Sequence, residues 1–385
     1  MQGIKMRIKE LEPGMVLMDD IYCPQTGILL LKAGTVLRRA LLRALQKNNP
    51  DLYCYACRSS AISRNEEILA VKADPAAAEN LSLEEVSGKE NWENRPLFPP
   101  GFVDREAGEI YAQACRVFNK IYSGRKIKPY LRELYNVIES LVGKLLIHPE
   151  MMIYVALLKK IDNSTFSHAV NVCVFSAFLG KVAGIKEPLL KELALAGIMH
   201  DIGKMDIPVE IWRKKGRLTL LEFNKVKEHS LYSYFRLANI DQVDMQTLMG
   251  VLQHHERLDG SGYPHGLKND ELHLWSKILG IADVFDAYTS ERSYRKAYSY
   301  HQGLEHLRQN SARFDSKLLN IFIRSLSFFP IGSRVLLNTG EKGIVMGIHK
   351  HYPYRPIIRV AKKDGSGEKL MDLAESRSVF IEKLL

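Results

Sequence analysis

This chain should be mainly α, a helical bundle flanked by a small β-rich module at its N-terminal side and a small β-barrel at its C-terminal side. Three observations lead there. The long stretch from Val103 to about Phe328 repeats apolar residues three and four apart, the period of helices that bury one face. The segments before and after it carry short apolar runs cut by glycine turns, the pattern of short strands. A polar, proline-bearing stretch separates the first module from the helices.

In chain order, residues 1–71 form the β-rich module, which we expect to be regulatory. KELEPGMVLMDDIY and GILLLKAGTVL supply its strands, and Leu37–Gln46 reads as one short helix. Residues 72–102 hold Pro75, Pro96, Pro99 and Pro100 and few apolar anchors, so they read as a linker. Residues 103–329 are the bundle. Helices are expected at Ala107–Tyr122, Tyr130–Leu146, Met151–Ile161, Ser167–Val182, Leu189–Met199, Leu220–Ala238, Met245–His255, Leu274–Tyr288 and Ser316–Ser327. Thr219 with Glu222 makes a capping box, Asp244 and Asp315 are N-caps, and Gly184 and Gly216 are breaks. In residues 330–385 apolar and polar side chains alternate around NTGEKG, a hairpin signal for a small barrel.

Composition narrows the function. The 385 residues leave room for more than one domain, and 46% apolar with 25% charged residues is ordinary for a water-soluble protein. No apolar run approaches the roughly 18 residues of a membrane span; the best candidate, Val170 to Gly180, is ended by Lys181. The N-terminus lacks the apolar core of a secretion signal, so a cytoplasmic location is expected. Five cysteines argue against a disulfide framework. Cys54 and Cys57 form a CxxC with no second pair, so structural zinc is not expected there. The net charge of +10 is scattered, apart from Arg213 to Arg217 and Arg292 to Lys296. That favours a phosphate-bearing small substrate over duplex nucleic acid.

The chemistry is concentrated in HHERLDGSGYP, His254 to Pro264, and in HDIGK, His200 to Lys204. Ligand-type side chains stand on separate helices or helix ends: His168; His200 with Asp201; His229; His254 with His255; and Asp283. Each adjoins apolar turns that must face a core, and buried charge there needs a partner, most simply a metal ion. Oxygen and nitrogen donors without cysteine suit Fe, Mn, Co, Ni or Zn, with Fe or Mn expected first. The donors exceed what one ion needs, so two ions sharing Asp201 is the economical arrangement. Such a site hydrolyses phosphate esters through a metal-bridging hydroxide. Lys204, about a turn after Asp201, can neutralise a phosphate oxygen.

HDIGK together with HHERLDGSGYP resembles the HD-GYP branch of the HD-domain phosphohydrolases. ILGIADVFDAYTSERSYRKA, EHSLYSYF and FSHAVNV are similar to further elements of that family, and the likeness runs from about Asp162 to Ala297. The resemblance implies an HD-type bundle and a cyclic di-GMP phosphodiesterase yielding pGpG, with GMP admitted as a further product. It implies that His168, His200, Asp201 and Asp283 hold one metal, and Asp201, His229, His254 and His255 the other. Lys204, Tyr263, Arg292 and Arg295 would contact phosphates or guanines, and Gly260, Gly262 and Pro264 would shape the loop. Signalling-protein partners and a homodimer are admitted.

This chain departs from the family at Ser164, where some members carry a third-metal glutamate, so two metals are expected. It departs again at Ser233, where a glycine is usual. The alternatives are a hydrolase of another cyclic dinucleotide or nucleotide, and a cyclic di-GMP sensor that signals without turnover. Loss of a ligand would favour the sensor, and no ligand is missing.

Overall fold

The computed structural model describes residues 4–24, 27–58, 105–149, 165–212, 214, 216–290, 298, 300–326, 329, 331–349, 355–361, 367–376 and 378–384. The helix expected at Met151–Ile161 and the stretch 72–102 lie outside the described residues. The chain divides into two compact units, Met1–Leu97 and Phe98–Leu385.

The first unit carries β1 (Ile4–Arg7), β2 (Met15–Leu17), β3 (Ile21–Tyr22), β4 (Leu29–Leu31), α1 (Arg39–Asn48) and β5 (Tyr53–Arg58). An antiparallel sheet runs β1-β5-β2, and β3 pairs with β4. The helix begins two residues later than its pattern suggests. Leu37 is held in extended structure: its N–H donates to Met15 O and its carbonyl accepts from Gly14 N–H, both at 2.7 Å. Cys54 and Cys57 both lie on β5, a strand the sequence reading did not pick out. Residues three apart on a strand face opposite sides. Cys54 is accordingly buried, whereas Cys57 is half-exposed beside Met18, so the pair does not converge on one ion.

The second unit is helical: α2 (Arg105–Gly124), α3 (Leu131–Ile147), α4 (Thr165–Val182), α5 (Glu187–Met199), α6 (Val209–Trp212), α7 (Leu220–Lys227), α8 (His229–Leu237), α9 (Met245–Gln253), α10 (Leu274–Thr289), α11 (Tyr300–Gln309) and α12 (Ser316–Ser325). At its centre is α4, buried without interruption from Ala169 to Gly180, as a helix apolar on every side must be. Helices α2, α3, α5, α10 and α12 pack on it. Phe175 of α4 meets Phe285 of α10 edge-on at 5.1 Å, and Phe285 meets Phe322 of α12 at 5.3 Å. Edge-to-face pairs of this kind add about 0.5–1.5 kcal/mol each beyond burial.

Local signals set several boundaries. The Thr219–Glu222 capping box is formed, and Asp244 and Asp315 accept from Thr247 N–H and Leu318 N–H. The single helix expected over Leu220–Ala238 is instead two, α7 and α8, broken at Glu228. The break turns His229 inward, with Val226 O bonded to its ring at 2.6 Å. Helix α11 was not anticipated, because its apolar stripe is thin: Leu304 and Leu307 are its buried anchors.

After the helices, β6 (Arg334–Leu337), β7 (Lys342–Gly347), β8 (Ile357–Ala361), β9 (Glu368–Asp372) and β10 (Ile381–Leu384) form an antiparallel sheet in the order β10-β6-β7-β8-β9. Val335, Leu337, Val345, Ile358, Val360 and Leu373 make its core. The NTGEKG hairpin turns through Gly340 at φ +79°, the left-handed region glycine tolerates. Among the described residues, no helix is long and apolar enough to cross a membrane.

Two glycine substitutions should separate close packing from helix propensity. A Cβ at Gly197 of α5 would lie 2.7 Å from Cys173 Cα of α4, backbone that cannot step aside. Gly197→Ala should therefore destabilise the fold by roughly 1–3 kcal/mol. A Cβ at Gly143 of α3 meets nothing within 4 Å, so Gly143→Ala should stabilise by up to about 1 kcal/mol. Urea unfolding of both variants gives the two signs.

Candidate metal centre

The site is assembled from helix ends. His168 lies in the first turn of α4, His200 closes α5, His229 opens α8, His254 and His255 follow α9, and Asp283 sits on α10. Asp201 follows His200 and caps a 3₁₀ turn, Ile202–Asp206. Two groups of donors result. His168, His200 and Asp283 each place a ligand atom within 4.8 Å of one another, and so do Asp201, His229, His254 and His255. Adjacent side chains point apart along a helix, but those of His254 and His255 do not. They stand where the helix stops, and their ring centroids lie 4.0 Å apart.

Asp201 joins the two groups through different oxygens. Its Oδ2 faces His200 Nε2 at 3.3 Å and His168 Nε2 at 3.7 Å. Its Oδ1 faces His229 Nε2 at 3.1 Å and His254 Nε2 at 4.0 Å. The carboxylate is 2% exposed.

The backbone sets the histidine tautomers. The ring Nδ1 of His200 lies 2.7 Å from Gly197 O, that of His229 2.6 Å from Val226 O, and that of His254 2.6 Å from Val251 O. A carbonyl only accepts, so each Nδ1 carries the proton and each Nε2 presents a lone pair to the centre. His229 Nε2 and His254 Nε2 then face each other at 3.3 Å with no proton to share. His200 Nε2 and Asp201 Oδ1 are buried without a hydrogen-bond partner. Orphaned buried polar atoms cost about 1–3 kcal/mol apiece. Convergent lone pairs on neutral imidazoles around a buried carboxylate are what a cation satisfies, so the residues present fit a metal site.

Charge tells the same story. Burial works to raise the Asp201 carboxyl, but the adjoining His200 imidazole and the Lys204 ammonium outweigh it and hold the group well below the usual carboxylate range. Asp283 is likewise buried and held low, chiefly by its hydrogen bond to His168. Burial and the neighbouring imidazoles push His254 and His255 well below the ordinary histidine value, so both are neutral.

His168 is oriented by residues the sequence reading missed. Its Nδ1 lies 2.7 Å from Asp286 Oδ2. Asp286 Oδ1 accepts from Asn171 Nδ2 at 2.8 Å, and Asn171 Oδ1 accepts from Tyr111 OH at 2.6 Å. All three partners are at most 2% exposed. A carboxylate behind a ligating imidazole fixes its orientation and raises its basicity. The signal was present: Asp286 stands one helical turn after Asp283, on the same face of α10.

The loop after the histidine pair is folded back on it. Glu256, buried, accepts from His265 N–H at 2.6 Å and Leu267 N–H at 3.0 Å, and Tyr263 N–H donates to His255 O at 3.2 Å. A Cβ at Gly262 would lie 2.4 Å from Glu256 Cα, which only glycine avoids. Tyr263 thereby stacks near His255, ring centroids 4.6 Å apart. Lys204 sits three residues after Asp201 in the 3₁₀ turn, where side chains three apart eclipse, and its Nζ pairs with Asp201 Oδ2. Ser233 takes its own place: its hydroxyl accepts from Gly203 N–H at 2.8 Å, tying the HDIGK turn to α8. Arg292, Arg295, Ser164 and Asp162 lie outside the described residues.

Residues 156–318 match the HD domain family model, and residues 334–385 match a KOW domain associated with HD domains. The chain is 32% identical over 225 residues to cyclic di-GMP phosphodiesterase PA4108 of Pseudomonas aeruginosa, covering 58% of this chain and 54% of that protein. It is 37% identical over 164 residues to 3′3′-cGAMP-specific phosphodiesterase 1 of Vibrio cholerae, covering 42% of this chain and 38% of that one. The chain thus spans about half or less of the length of these relatives. The solved HDG"Y"P protein Bd1817 of Bdellovibrio bacteriovorus superposes with a TM-score of 0.50 at 12% identity, over 84% of this chain and 99% of that one, and shares the fold. Within the helical region, residues 156–318 are an HD domain by this match, and the likeness to Bd1817 shows the fold alone.

Proposed function

We propose that this chain is a metal-dependent phosphodiesterase that hydrolyses cyclic di-GMP to linear pGpG. The observation that carries the reading is Asp201, whose two oxygens face two separate groups of imidazoles. On this reading His168, His200, Asp201 and Asp283 hold one ion, and Asp201, His229, His254 and His255 the other, Fe or Mn being the first candidates. When bound, such a pair lowers the pKa of a water toward roughly 7 and neutralises phosphate oxygens. Water adds its hydroxyl to phosphorus, the P–O3′ bond breaks, and the departing 3′ oxygen takes up the proton. Lys204, paired with Asp201 and one quarter exposed, is placed to follow charge onto a phosphate oxygen. Tyr263 offers a ring and a hydroxyl whose proton burial retains, so it donates rather than accepts. Arg292 and Arg295 complete the substrate contacts in this reading.

The relative of Pseudomonas aeruginosa is named for cyclic di-GMP and that of Vibrio cholerae for 3′3′-cGAMP. The higher identity of the second makes the mixed dinucleotide the alternative substrate. Purified metal-loaded protein given both should turn over cyclic di-GMP faster; a faster rate on 3′3′-cGAMP reverses the assignment. We take 1–71 as a regulatory module, 72–102 as a linker, 103–329 as the catalytic domain and 330–385 as a barrel-like tail. Among the described residues the cysteines form no disulfide, and we take the protein to be cytoplasmic.

Replacing Asp201 by alanine should empty at least one metal position and cut turnover by about a thousandfold or more, because one carboxylate serves both groups. Elemental analysis, circular dichroism and product chromatography check it. Native metal content and turnover in that variant would remove Asp201 from the shared position.

Stability and metal uptake should both depend on pH through His168. Burial works to lower His168, but its hydrogen bonds to Asp283 and Asp286 win and push it up to about 9. A histidine whose folded pKa exceeds its unfolded value of about 6.5 stabilises the fold fully below pH 6.5 and loses that contribution as pH rises through the folded value. The metal-free protein should therefore lose roughly 2–3 kcal/mol between pH 6.5 and 9. Metal uptake must displace the same proton, so affinity at the His168 group should rise with pH over that window, about tenfold per unit. Thermal melts and metal titrations across the window test both slopes; flat curves would mean that His168 is not protonated in the metal-free fold.

A further inference from the structure

We infer that Lys227, held between the rings of Phe223 and Tyr263, is a substrate-binding residue that receives the second phosphate of the cyclic dinucleotide. The inference rests on the phosphodiesterase reading above and adds a residue to it. Lys227 is the last residue of α7, two before His229. Its Nζ lies 5.5 Å from the centre of the Tyr263 ring and 4.8 Å from that of Phe223. Tyr263 in turn stacks near His255 at 4.6 Å and stands 6.2 Å from His229, so the ammonium is one ring's width outside the donor groups. Its backbone is fixed by the neighbouring contacts: His229 Nδ1 bonds Val226 O at 2.6 Å, and Ser230 Oγ donates to Lys227 O at 3.3 Å.

Two features separate this lysine from an ordinary surface charge. Among the described residues no carboxylate pairs with it, whereas Lys204 is engaged with Asp201. Its charge is held instead by ring faces, which attract a cation without neutralising it, so it remains available to an anion. Phe223, which completes the clamp, is 43% exposed, and α7 has no buried residue. An exposed ring on a helix without a buried residue contributes nothing to the core. Beside a nucleotide site it offers a face on which a purine can stack.

The substrate's chemistry calls for such a group. A cyclic dinucleotide carries two phosphodiesters, each with one negative charge. Metal ions held by the histidine groups would meet the scissile one, and the other needs a cation a short way outside them.

The experiment uses the metal-loaded full chain and reads KM and kcat for cyclic di-GMP in the wild type, Lys227→Gln, Lys227→Arg and Phe223→Ala. Lys227→Gln should raise KM about tenfold with kcat changed less than twofold and metal content unchanged. Lys227→Arg should restore KM to within about threefold, and Phe223→Ala should raise it about threefold. Inhibition by inorganic phosphate, which carries a single phosphorus for the metals, should keep the wild-type Ki in Lys227→Gln. An unchanged KM in Lys227→Gln overturns the inference, as does a loss of metal or a phosphate Ki that rises with KM. A wild-type protein that turns over no cyclic dinucleotide overturns the proposed function, and this inference with it.

Discussion

The buried carboxylate of Asp201 is the constraint on which the site depends. An ionised group 2% exposed must be compensated from within the protein. Here the compensation comes from both sides, through imidazoles delivered by the ends of four different helices, α4, α5, α8 and α9. Moving any one of those ends would leave a charge without a partner. The packing that fixes them is accordingly tight: Gly197 against Cys173, Gly203 against His229 O and Ser233, Gly262 against Glu256. At each of these contacts a methyl group would displace backbone.

The same device recurs at three ligands. His200, His229 and His254 each turn the ring back onto the carbonyl three residues earlier. A helix end leaves carbonyls unsatisfied, and a histidine placed there takes one up while aiming its other nitrogen away from the helix. The backbone thus spends an orphan acceptor on fixing a tautomer. His168, near the start of its helix, has no such carbonyl free, and Asp286 serves instead. The difference has a consequence: a carboxylate retains a proton on His168 up to about pH 9, where a carbonyl cannot.

Loops contribute by being rigid. The DGSGYP segment is held through the carboxylate of Glu256, which accepts from backbone N–H groups of His265 and Leu267. This is a buried anionic anchor inside a loop, and it keeps Tyr263 against His255 rather than leaving it free at the surface. Arg257 closes the other side, its guanidinium donating to His254 O and Glu256 O at the end of α9.

How much of this was legible in the linear chain follows from the range of each interaction. Period and caps are local, so the helical class and the boundaries at Thr219, Asp244 and Asp315 could be read directly. The histidine and aspartate set could be read because each member ends or interrupts an apolar turn. Three things could not. The break at Glu228 exists because His229 must face Asp201, and nothing in LEFNKVKEHSLYSYF announces a partner on another helix. Asn171 and Tyr111 look like ordinary helical residues until α2, α4 and α10 are packed together and their polar atoms meet Asp286 out of water. The division of Asp201 between two groups is a matter of which oxygen faces which helix. The sequence by itself determined the elements and the donor types, since these depend on neighbours three or four residues away. Only the tertiary structure decided their convergence, because buried charge is satisfied across space and not along the chain.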